Sequence, residues 1–193
     1  MPTNVTMKNF IVQLLNNHIP ASYYYHNLSH TLYVEKKCLE IGRNEHCTKE
    51  ELNLLTTAAL WHDTGYIKTY QNHEEASCTL AKEYLPKYGL TTANINTICG
   101  MIMATKIPQK PKTKLEAIIA DADLEYLGTE NASTFAHQLF KEISALHLTK
   151  SAEDWNEMQI NFLKAHHYFT NYCKQHKEPI KQAYLNSLSN HQI

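Results

Sequence analysis

The stretch TKEELNLLTTAALWHDTG, residues 48–65, decides the fold class. Thr48 with Glu51 three residues later forms a capping box, the signature of a helix start. The run then continues without Pro, and without Gly before Gly65, so a helix is expected from Thr48 to about Gly65. So apolar a helix belongs in a core, yet it ends on His62 and Asp63. Burying a carboxylate or imidazole without a partner costs several kcal/mol, so both residues call for company.

Outward from this helix the same periodicity recurs. Phe10, Ile11, Leu14 and Leu15 make one apolar stripe over residues 4–17, and Leu28, Leu32, Cys38, Leu39 and Ile41 do so over 28–43, with Gly42 as a stop. Further helices are expected over 74–88 and 92–105. Thr113 and Glu116 read as a second capping box, opening a helix that ends by Gly128. KIPQKPK, residues 106–112, holds two prolines and must be a loop. From residue 131 two or three more helices are expected, one capped near Ser151. Val is scarce, Asn-Gly and Asp-Gly turns are absent and period-two alternation is rare, so the class is all-α.

Composition narrows the function. With 193 residues, 43% of them hydrophobic and 19% charged, the chain is globular and large enough for a core. One domain over residues 1–193 is expected, with a motif-bearing core at about 20–130 and a helical extension at about 131–193. A net charge of -1 gives no field to attract duplex nucleic acid. The five cysteines are an odd number with no C-x-x-C, which fits neither a disulfide framework nor a thiolate zinc site and suits a reducing cytoplasm. No run approaches 18 apolar residues and the start has no signal-peptide h-region, so neither membrane insertion nor export is expected.

Two other polar residues interrupt apolar helix faces. His30 shares a face with Val34, Cys38 and Ile41, and Asp121 follows Ile118, Ile119 and Ala120. A cation shared between helices would satisfy these intrusions together, because no single helix face surrounds an ion. Imidazole and carboxylate donors suit Mn²⁺, Fe²⁺, Co²⁺, Ni²⁺ or Zn²⁺. Each residue taken alone is as well explained by a hydrogen-bonded core position.

Four segments in order carry more: YHNLSHTLYV at 25–34, AALWHDTGY at 58–66, NHEEAS at 72–77 and DADLEYLG at 121–128. Together they resemble the HD superfamily of metal-dependent phosphohydrolases, especially its small bacterial single-domain members, over roughly residues 20–130. The resemblance implies a compact helical bundle holding one divalent ion, Mg²⁺ included, between His30, His62, Asp63 and Asp121. Asp121 is preferred to Asp123 because the last ligand of the family is usually the first Asp of such a segment. Asp123 lies about 200° further round the helix, where a loop or neighbouring helix is its expected partner. Relatives with more metals need further histidines between the HD pair and the final Asp. After His73 the next is His137, so one ion is expected.

Such a site hydrolyses a phosphate ester through a metal-activated water. Asp63 is expected both to bind the ion and to accept a proton. His73, with Glu74, sits where many relatives carry a histidine near the reaction centre, and is expected to protonate the leaving group; the plain alternative is a helix-start pair. HEEAS is not a zinc-protease motif, because residue 77 is Ser. Lys106 and Thr105 are the candidate phosphate contacts, with Lys110 and Lys112 behind them. Tyr25 and Asn27 should border the pocket, although Asn27 is equally a helix cap. The expected substrate is a small phosphorylated metabolite, a nucleotide first. The rival readings are a nucleotide-binding HD sensor without turnover, a di-iron HD oxygenase, and a purely structural helical protein. A homo-oligomer is compatible with all of them.

Overall fold

The computed structural model describes residues 4–149 and 151–190, and among these every regular element is helical. The expected Ser151 cap falls within them, whereas residues 1–3, 150 and 191–193 lie outside. The helices are α1 (Asn4–His18), α2 (Leu28–Asn44), α3 (Lys49–Trp61), α4 (His73–Tyr84), α5 (Thr92–Ala104), α6 (Lys114–Asp123), α7 (Ala132–Ala145), α8 (Ala152–Ala165), α9 (Asn171–His176) and α10 (Glu178–Asn190). Three short 3-10 turns follow α3, α4 and α6, at Thr64–Ile67, Leu85–Tyr88 and Glu125–Gly128. The expected helices ran through these turns, so each was read a few residues too long.

Local chemistry accounts for the ends. Asn27 caps α2 by accepting from the Ser29 amide at 2.9 Å. Thr48 and Glu51 form the full reciprocal box on α3. At α6 the box is only half made: Thr113 accepts from the Glu116 amide, while the Glu116 carboxylate turns to the Lys112 amide. Ser151 caps α8 through the Asp154 amide.

The principal core gathers the apolar faces of α1 to α6, with Ile11, Val34, Leu55, Trp61, Ile98 and Ile119 fully buried. In it α2 packs on α3 and α6, and α5 packs on α3, α4 and α6. A second cluster joins Leu124, Tyr126 and Leu127, just beyond α6, to Ile160 and Leu163 of α8 and Leu185 of α10. Glu125, fully buried between the two clusters, receives the Tyr33 hydroxyl, Lys37 at 3.1 Å and Lys177. Among the described residues, those after 131 form four helices rather than two or three.

Candidate metal centre

Three helix ends converge where the two clusters meet. His30 stands in the first turn of α2, His62 and Asp63 follow directly on α3, and Asp123 is the last residue of α6. His30 Nε2 lies 3.0 Å from Asp123 Oδ1 and 3.4 Å from Asp63 Oδ2. His62 Nε2 lies 3.2 Å from the same Asp63 oxygen, 3.6 Å from Asp123 Oδ1 and 3.4 Å from His30 Nε2. One donor atom each of His30, His62 and Asp123 thus falls within 4.8 Å of the others, a spacing that suits a shared cation.

The surroundings aim these donors. His62 Nδ1 is 2.7 Å from the Ala59 carbonyl, so that nitrogen carries the proton and Nε2 presents its lone pair to the cluster. Asp63 Oδ2 is buried and has no hydrogen-bond partner. A bare carboxylate oxygen between two imidazole nitrogens is costly unless a cation neutralises it, so the donor set fits a divalent ion. The electrostatics agree. Burial alone would depress the His62 pKa, but Asp63 and Asp123 outweigh it and raise it well above the usual range, so these carboxylates draw positive charge to Nε2, a proton in the free protein and the metal ion in its place when one binds. Burial likewise opposes ionisation of Asp123, yet hydrogen bonds from His30 and His62 bring its carboxyl down to about 2. Asp63 is also held well below its ordinary value, where burial is overcome chiefly by His62.

Asp121 does not join this cluster. Its carboxylate accepts from the Phe169 and Thr170 amides at 2.8 Å each and from the Thr170 hydroxyl at 2.6 Å. The expected placements of the two aspartates are therefore exchanged: Asp121 bonds the loop ahead of α9, and Asp123 faces the histidines. The physical reason lies in the half-turn between them. Asp121 is fully buried, but its partners are two backbone amides and a hydroxyl rather than the histidines, and burial alone does not distinguish the two.

Beside the cluster, His73 opens α4 with Nε2 3.5 Å from Asp63 Oδ1 and 3.6 Å from Glu74 Oε1. Its ring stacks on Tyr66 at 3.9 Å between centroids. Burial tends to lower its pKa, and Asp63 more than restores it. Gly65 makes this approach possible, since a Cβ there would stand 1.9 Å from the His73 carbonyl oxygen. A cavity of about 340 Å³ opens over Asp63, His73, Glu74 and Asp123, with Tyr25 and Thr105 in its wall.

Two expected substrate contacts lie elsewhere. Lys106 pairs with Glu75 and with Asn72 Oδ1 at the surface and is not among the residues lining the cavity. Asn27 spends its side chain on the cap of α2 and on the Tyr23 and Tyr24 carbonyls, and it too lies outside the lining. Conversely, His26, Tyr66 and Tyr126 line the cavity without having been singled out. His26 is held by Glu142, a fully buried residue of α7 whose carboxylate also accepts the Tyr25 and His26 amides. His26 and Tyr66 stood inside the quoted motifs, so their neighbours were a usable signal. Glu142 offered only an acid flanking the apolar face of a tail helix.

The family model for the HD domain matches residues 27–126, a little over half of the chain. The chain belongs to the HD domain family. Among solved structures it is similar to a predicted HD superfamily hydrolase from an uncultured Thermotogales bacterium, at 17% identity and a TM-score of 0.65 over 95% of this chain and 90% of that one. At that identity the likeness is one of fold. No curated protein matches the chain.

Proposed function

We propose that this protein is a metal-dependent phosphohydrolase that cleaves the ester of a small phosphorylated metabolite, acting in the cytoplasm as a single-domain enzyme. The observation that carries the reading is the buried, hydrogen-bond-free Oδ2 of Asp63, set against two imidazole Nε2 atoms and beside Asp123. His30, His62, Asp63 and Asp123 would hold one divalent ion. When bound, such an ion acts as a Lewis acid that lowers the pKa of water toward ~7 and polarises a phosphoryl oxygen.

The protein groups supply the proton traffic. Asp63 Oδ1, facing His73 rather than the other histidines, takes the proton of the attacking water as its oxygen bonds to phosphorus. The ester P–O bond then breaks with its electron pair on the alcohol oxygen. His73, whose proton affinity is raised by Asp63 despite burial, protonates that oxygen. Glu74, itself buried beside His73, orients the ring together with the Tyr66 stack.

Elemental analysis of the purified protein, followed by Mn²⁺-supported hydrolysis of a panel of phosphate esters, tests this. Asp63→Ala should lose both the bound metal and the turnover while keeping its helical content. Unchanged metal content in that variant overturns the site. A nucleotide that binds tightly and is recovered intact with Mn²⁺ present would replace the enzyme reading with the sensor.

A further inference from the structure

The chemistry of the cavity wall is uneven. At one end stand the carboxylates of Asp63, Asp123 and Glu74 with His26 and His73. The remainder is mainly apolar: α7 gives Leu139 and Ile143 and α8 gives Trp155, Met158 and Phe162, with Tyr25, Tyr66, Thr105, Tyr126 and Gln159 as its polar-tipped members. Among the described residues no Lys or Arg lines the cavity. Phosphate oxygens beyond those an ion neutralises need cationic or amide donors. With Asp63 and Asp123 engaged by the ion, the further phosphates of a di- or triphosphate would instead meet Glu74 and the apolar wall.

Resting on the hydrolase reading above, we infer that the substrate is a phosphomonoester of an apolar alcohol: one phosphate at the histidine cluster and an aliphatic or aromatic leaving group against α7 and α8. Size agrees, since about 340 Å³ is at the small end of the ~300–1,000 Å³ range of ligand pockets. Hydrolysis transfers the phosphoryl group to water and releases the apolar alcohol, whose oxygen keeps the electron pair of the broken bond and gains a proton.

Two measurements on the full chain with Mn²⁺ separate this inference from the reading beneath it. Hydrolysis of ethyl, butyl and hexyl phosphate, glycerol phosphate, AMP and ATP gives the turnover arm. Calorimetric binding of ethyl-, butyl- and hexylphosphonate, which resist hydrolysis, gives the subsite arm. The inference expects kcat/KM and phosphonate affinity both to rise with chain length, by about fourfold per methylene, with ATP the poorest ester. In Leu139→Asn the hexyl-to-ethyl affinity ratio should collapse toward one, a ratio insensitive to the fraction of folded protein. Turnover of all monoesters with flat phosphonate affinities overturns the inference and leaves the hydrolase. Graded phosphonate affinities without any turnover uphold the apolar subsite and overturn the hydrolase. Preference for ATP over hexyl phosphate also overturns the inference.

Discussion

The Asp121 carboxylate accepts two backbone amides and a hydroxyl from the loop that carries Phe169 and Thr170. Asp123, two residues on, touches His30 and His62. Substituting each by Ala should separate structure from metal binding. Asp121→Ala strands buried donors and should cost about 2–4 kcal/mol in urea unfolding, with metal content per folded molecule unchanged. Asp123→Ala should lose most of the metal at a smaller cost in stability. If Asp121→Ala is the variant that sheds metal, the assignment made from the geometry is wrong. The sequence already made His30, His62 and Asp63 visible, because each interrupts an apolar face. Between the two aspartates the resemblance favoured Asp121, whereas the geometry sets Asp123 beside the histidines. A buried acid needs partners, and residue type does not say whether they are amides or an ion.

At the scale of elements, the 3-10 turn Thr64–Ile67 and the start of α4 form one unit that delivers Asp63 and His73 to the same place. The Gly65 amide donates to Ser77 Oγ at 2.7 Å, and the turn lies directly on the His73 backbone. Gly65→Ala would force the two apart. Overpacking of this kind costs about 1–3 kcal/mol, and it should weaken turnover beyond what the lost folded fraction explains, because His73 moves with α4. Wild-type kcat per folded molecule in this variant would show that the close approach does not position His73. Helix starts were legible in advance, since Thr48, Thr113 and Ser151 cap through local side chains. Helix ends were less so. The 3-10 turns after α3, α4 and α6 keep the apolar text of a helix while tightening its backbone, and they give no distinct local signal.

Across the whole molecule, the tail after residue 131 was expected only as a helical extension of the motif-bearing core. The structure gives it more: α7 and α8 supply the apolar cavity wall, and Glu142 of α7 holds His26. Such contacts join residues more than a hundred positions apart, and no periodicity reports them. The same tail sets an acid limit on stability. His166 ends α8 half-buried, with Lys181 Nζ 3.4 Å from its Nδ1 and Nε2 without a hydrogen-bond partner. Burial, reinforced by the Lys181 charge, pulls its pKa down to about 3. With the folded value below the unfolded one near ~6.5, the unfolded chain binds a proton that the folded chain refuses. Stability from this group is therefore complete above pH ~6.5 and falls as pH drops, by at most about 1.4 kcal/mol per unit, or about 2 kcal/mol by pH 5. Urea unfolding of wild type and His166→Phe at pH 7, 6 and 5 measures the difference in slope. His166→Phe should be the flatter of the two, whatever its absolute stability, and parallel curves would mean that His166 takes up its proton in the folded protein as readily as in the unfolded chain.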